Sequence, residues 1–208
     1  MAADGRVFRH IRLPEGYEAV FLDWIKPEKN ESLANYALRL AERIDTSQPF
    51  ALIGLSFGGM LASEIAKRYK PAVTILISSI PVSTHLPGYF RIAAKLRLHK
   101  LVPIGLLKTA SGVKRIFTRE TSEDKKLILQ AIRESDPAMI RWSMHAILSW
   151  KNDCMPQPVC HIHGTSDEVL PIKYTQPTHA INRGGHMLVL TAAEKVNDII
   201  KNALKPSA

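Results

Sequence analysis

The chain has 208 residues, 46% of them hydrophobic, with 28 Lys and Arg against 19 Asp and Glu for a formal net charge of +9. That length supports one domain with a sizeable core, or one domain carrying an insertion. No run approaches the roughly 18 to 20 apolar residues of a membrane span, and residues 1–20 lack a secretory leader's basic start and apolar block, so the reading is a cytoplasmic protein with no membrane span. Cys154 and Cys160 are too few for a disulfide framework and lack zinc-site neighbours, so both read as buried thiols.

In chain order, Tyr17 to Trp24 (YEAVFLDW) reads as a first strand. Ser32 can cap a helix over LANYALRLAERI, where Leu33, Tyr36, Leu40 and Ile44 recur at helical spacing. Phe50 to Leu55 reads as the next strand, Gly59 to Tyr69 as a helix and Val73 to Ile80 as a strand. Val159 to His163 and His179 to Asn182 complete the strands, and Ala192 to Leu204 is the closing helix. Such alternation predicts an α/β fold, a mostly parallel sheet with helices on both faces.

The rhythm breaks at 81–155, which reads as an all-helical insertion punctuated by Pro81, Pro87 and Pro103. The domain reading is therefore a core of 1–80 and 156–208 interrupted by 81–155. This insertion holds 13 Lys or Arg against 6 Asp or Glu, a net +7, leaving +2 for the rest. Within it, Arg91, Lys95, Arg97 and Lys100 interleave with Phe90, Ile92, Leu96, Leu98 and Leu101. That stretch is either a solvated helix face or a dock for an acidic acyl-carrier protein, an anionic acyl thioester or a membrane surface. No nucleic-acid motif accompanies the charge.

One serine stands among glycines in Gly54-Leu55-Ser56-Phe57-Gly58-Gly59, where a buried-type strand meets a helix. A turn this tight strains the serine backbone, and all three glycines fit a site where a Cβ would collide with a neighbouring element. The alternative is an ordinary turn in which Ser56 caps the helix. A serine hydroxyl is a weak nucleophile at neutral pH and needs a histidine base oriented by a carboxylate. HGTSDEVLPI puts Asp167 in a loop after one strand, and NRGGHMLVL puts His186 in a Gly-rich loop after the last. All three would lie along one edge of the sheet, where open α/β folds bind ligands.

With its elbow GLSFGG, acid loop HGTSDEVLPI and histidine loop GGHMLVL, the chain resembles the α/β-hydrolase superfamily over most of its length. The resemblance assigns the nucleophile to Ser56, the acid to Asp167 and the base to His186, with Glu168 pointing to solvent. It makes 81–155 the helical cap and implies a serine esterase acting on a small or medium acyl ester, without cofactor or metal. Thioester hydrolysis or acyl transfer from a carrier is the alternative, as is a catalytically silent binding protein of the same fold. The 19 positions from Asp167 to His186 are fewer than usual, so the intervening helix should shrink to a turn around KYTQP.

The oxyanion hole would take the Phe57 amide and a second donor near Met1, because the family's first strands should precede residue 1. Met1 would then be an internal methionine taken as a start, and the core N-terminally truncated. His161 and His163 share a strand face and read as packing residues rather than metal ligands. His85, His99 and His145 are candidates for a substrate pocket in the insertion. Trp142, Met144, Ile147 and Trp150 form a helical stripe, read as core in preference to an acyl pocket.

Overall fold

The computed structural model describes residues 5–95 and 121–205. Among these residues the sheet has four strands, β1 (Ala51–Leu55), β2 (Val73–Ile77), β3 (Val159–Gly164) and β4 (His179–Ile181), all parallel and in that spatial order. Every residue of β2 is buried, as expected of an inner strand covered on both faces. Its alternation divides the core. Leu76 faces one hydrophobic cluster, while Val73, Ile75 and Ile77 face the other.

On the Leu76 side pack α1 (Leu33–Ala41) and α2 (Phe57–Tyr69). Ser32 caps α1 by accepting from the Asn35 amide at 3.1 Å, and Leu33, Tyr36, Ala37 and Leu40 form its buried stripe. Between β2 and β3 come α3 (Gly88–Lys95), α4 (Ser122–Glu134) and α5 (Pro137–Ser149). Helix α5 joins the α1 and α2 side, where Trp150, just past its end, donates from Nε1 to the buried Glu64 of α2 at 2.7 Å. Helix α4 lies on the opposite face with α6 (Leu188–Thr191) and α7 (Ala193–Ala203). The two ends of the insertion meet at Pro81 to Ser83 and Asn152. Asn152 donates from Nδ2 to the Pro81 carbonyl at 2.9 Å, and its own carbonyl accepts from the Ser83 amide at 2.7 Å.

Four expectations are corrected. Tyr17 to Trp24 is irregular backbone and not a strand. A strand needs a ladder partner, and the backbone that follows Phe21 is instead satisfied by side chains of α1 and of the turn after it. Tyr36 Oη accepts from the Ile25 amide at 3.1 Å and donates to the Ile25 carbonyl at 3.0 Å, while Arg39 and Arg43 donate to the carbonyls of Lys26 and Asp23. Strand β2 ends at Ile77 rather than Ile80, because Ser78 turns into positive φ at 46°. Cys160 is buried within β3 but Cys154 is exposed, because it lies in the irregular connection between α5 and β3. The third glycine of the elbow is taken up below. Among the described residues no helix is long and apolar enough to cross a membrane.

Candidate active site

Ser56, Asp167 and His186 each follow the carboxyl end of a different strand, so parallel pairing of β1 with β2, β2 with β3 and β3 with β4 brings all three to one edge. Ser56 joins β1 to α2 with φ 52° and ψ −118°, a strained backbone for a residue with a Cβ. It is held from two sides. Its amide donates to the Ile77 carbonyl at 2.9 Å, and its carbonyl accepts from Ser79 Oγ at 2.6 Å.

Only two of the three elbow glycines are sterically required. A Cβ on Gly54 would overlap the Gly58 backbone and one on Gly59 would overlap the Ser79 side chain, whereas Gly58 has no such neighbour within 4 Å among the described residues. Gly58 stands on the open side of the first turn of α2, so the expectation that all three avoid collisions fails there.

His186 joins the two other residues. Its Nε2 lies 2.9 Å from Ser56 Oγ and its Nδ1 2.8 Å from Asp167 Oδ2. Because an ionised carboxylate only accepts, Nδ1 carries the proton and Nε2 is free to accept from the serine hydroxyl. The other oxygen of Asp167, Oδ1, accepts from the amides of Val169 and Leu170 at 2.8 and 2.9 Å. Burial alone would raise the pKa of this carboxyl, but the His186 hydrogen bond and the loop amides outweigh it and hold Asp167 below the usual carboxylate value. The arrangement can therefore deprotonate a hydroxyl at Ser56 and stabilise the imidazolium that results.

The turn between β3 and β4 is short, as expected, with a single 3-10 turn at Ile172–Tyr174. Glu168 is exposed. An open groove of about 720 Å³ runs past the acid loop, lined by Tyr89 of α3 with Ser166, Asp167, Glu168 and Pro171. Phe57 is buried beneath the elbow, with its ring 5.8 Å from Trp24 and 6.0 Å from Trp142, and its amide opens α2, where the first N–H groups have no acceptor within the helix. Met1 lies outside the described residues, as do His99, Arg97 and Lys100; Arg91 and Lys95 fall on α3.

Of the remaining candidates, His85 contacts Thr175 Oγ1 at 3.0 Å, whereas His145 is exposed. Ile147 and Trp150 are core, and Trp142 and Met144 are half-buried. Sequence reasoning missed Ser79, whose hydroxyl braces the elbow, and the nearness of His163 to Asp167. A spacing of four across the end of β3 was the only trace of the second.

Residues 14–149, more than half of the chain, match the thioesterase domain family. The chain belongs to that family. It is accordingly a hydrolase of the α/β-hydrolase kind, and the match spans the elbow while stopping short of the acid and histidine loops. No curated protein matches the chain.

Among solved structures, the family member superposes on an N-acyl homoserine lactonase, AidH, with a TM-score of 0.66 at 15% identity, over 100% of this chain and 88% of that one. It superposes on MenH from S. aureus with a TM-score of 0.63 at 16% identity, covering 89% of this chain and 81% of that one. A thermophilic esterase from Thermogutta terrifontis gives 0.58 at 19% identity, covering 84% and 72%. At these identities the likeness is one of fold.

Proposed function

We propose that this thioesterase-family protein hydrolyses acyl esters and thioesters through a Ser56–His186–Asp167 triad and an acyl-enzyme. The observation that carries the reading is the hydrogen-bonded line from Ser56 Oγ through both nitrogens of His186 to Asp167 Oδ2, at 2.9 and 2.8 Å. Ser56 Oγ attacks the acyl carbon while its proton passes to His186 Nε2. The oxyanion that forms faces the Phe57 amide, and the second donor is assigned to the chain near Met1. Collapse breaks the bond to the alcohol or thiol, which leaves with the proton from His186. Water then enters by the same route and releases the carboxylic acid, restoring Ser56. The cycle calls for no cofactor.

The family match supports including the sulfur ester alongside the oxygen ester. We assign 81–155 to a cap over this site, its basic stretch to docking an acidic acyl-carrier protein, and the protein to the cytoplasm. A fluorophosphonate probe tests the chemistry directly, since only an activated serine reacts. The probe should label wild type and leave Ser56→Ala unlabelled, and Ser56→Ala, His186→Ala and the double variant should each lose about 10⁴- to 10⁶-fold in kcat on activated esters and acyl thioesters. Ordinary turnover by Ser56→Ala would sink the reading.

A further inference from the structure

Strand β3 carries two histidines, His161 and His163, for which the proposed cycle has no use. Their alternation puts both on one face, and they are 2% and 0% exposed. Burial holds both below the ordinary imidazole range, so each is neutral with one donor and one acceptor nitrogen. The partners then dictate which nitrogen is which. His163 Nε2 lies 2.7 Å from the Leu170 carbonyl, which can only accept, so Nε2 carries the proton. His163 Nδ1 is left as an acceptor, 3.3 Å from His161 Nε2, and that nitrogen is also 3.0 Å from the Ser79 carbonyl. His161 Nε2 must therefore bear its proton, and His161 Nδ1 remains a buried acceptor without a hydrogen-bond partner among the described residues.

The consequence falls on the acid. His163 Nε2 is 3.4 Å from Asp167 Oδ2, the oxygen that faces His186. We propose that His163 is a positioning residue for Asp167, its Nε2–H shared between the Leu170 carbonyl and Oδ2, with His161 fixing the tautomer that makes this possible. The inference rests on Asp167 being the acid of the triad. The geometry explains why a second donor is useful. Oδ1 is clamped by two amides of its own loop, whereas the other hydrogen bond to Oδ2 comes from His186, the ring that takes up and releases a proton in each cycle.

A donor that does not titrate keeps Oδ2 in place throughout. His163 also closes the loop on itself, because Leu170 donates its amide to Oδ1 and receives the His163 proton at its carbonyl. From there the line runs through His161 to the carbonyl of Ser79, whose hydroxyl holds the Ser56 carbonyl, so the acid loop and the elbow share one buried polar chain. The groups bearing on His163 are His161 on β3, Asp167 in the acid loop and His186 in the histidine loop; His85, before α3, bears on His161.

The experiment compares His163→Leu with His163→Gln, whose Nε2 can reproduce the donor, in the full-length protein with thermal unfolding as a folding check. His163→Leu should lose about 10- to 100-fold in kcat with KM within about twofold, the signature of a misplaced catalytic group rather than a lost binding contact. His163→Gln should recover most of the loss. A Leu variant with wild-type kcat, or a folded Gln variant no better than Leu, overturns the proposal. If the Leu variant does not fold, nitrogen–proton correlation spectra of wild type decide instead. The expected His163 is neutral and protonated at Nε2 from pH 6 to 8, and protonation at Nδ1 or at both nitrogens overturns the proposal. Fluorophosphonate labelling of wild type at Ser56 separates the two levels. A failure to label overturns the triad and this role together, while intact labelling with a silent Leu variant overturns this role alone.

Discussion

Two stretches of irregular backbone flank the elbow, and they satisfy their hydrogen bonds in opposite ways. The part of the acid loop that follows Asp167 is served from within, as Asp167 accepts from amides two and three residues further on. The segment from Asp23 to Lys26 is served from outside, by Tyr36, Arg39 and Arg43, which lie 11 to 20 positions downstream. The first arrangement is buried, with Asp167 4% exposed, while the second borders an exposed run in which Val20 is 76% and Phe21 53% exposed. A loop closed by its own side chain brings a rigid, dry carboxylate to the sheet edge. A segment closed by a distant helix instead brings a surface to pack against, since Trp24 ends up against the ring of Phe57.

The largest expected effect lies in the self-closed loop. Asp167→Asn retains Oδ1 as an acceptor for the loop amides but can present an NH₂ group to His186, making Nδ1 the acceptor and leaving the ring proton on Nε2, which can then no longer accept from Ser56. The variant should fold with little change in thermal midpoint and lose about 10⁴-fold in kcat. A loss under tenfold would mean that the carboxylate only closes the loop. The same contrast governs what the sequence revealed. Asp167, Ser56 and His186 were legible because each requirement is local: a strand end, a turn and a spacing.

The segment at 17–24 misled because its apolar, aromatic-rich run meets the propensity for a strand, while the hydrogen bonds just beyond it are made by side chains such as Tyr36 on the following helix, which propensity does not register. His163 was read as packing for the same reason. Its contact with Asp167 exists only once β3 has ended and the chain has turned.

A second test addresses the cost of burying histidines behind the acid loop. The His161 side chain is pushed down to about 4 by burial and by its neighbour His163, against an ordinary value near 6.5. Because the folded value is the lower, the unfolded chain binds the extra proton between about pH 6.5 and 4, so stability is full above that window and falls as pH drops through it. One such group contributes a slope of about 1.4 kcal/mol per pH unit. His161→Gln should flatten the stability curve by that amount in urea unfolding between pH 4.5 and 6.5. His163, depressed in the same direction, would retain its own share, and Asp167, held below the usual carboxylate value, acts at more acid pH. Parallel curves for wild type and variant would mean that His161 is not the buried neutral group that the structure depicts.

The smallest effect belongs to the segment closed from outside. Tyr36 is fully buried, with its ring 4.3 Å from Trp142 and its hydroxyl both accepting from and donating to the backbone of Ile25. Tyr36→Phe keeps the ring contact and removes only the hydroxyl, leaving one amide and one carbonyl to find water. Ile25 is half-buried, so part of that loss is recovered from solvent, and a cost of about 1 to 2 kcal/mol is expected. In a chain of this size that corresponds to a fall of roughly 2 to 8 °C in thermal midpoint. Ester hydrolysis at 25 °C should be unchanged, because none of the atoms lost touches Ser56, His186 or Asp167. A midpoint within 1 °C of wild type would mean that the hydroxyl is not standing in for a strand partner, and that packing of Leu22 and Trp24 alone holds the segment. A fall in kcat with the midpoint preserved would instead mean that the segment positions Phe57 through Trp24, making the surface closed from outside as important to the chemistry as the loop closed from within.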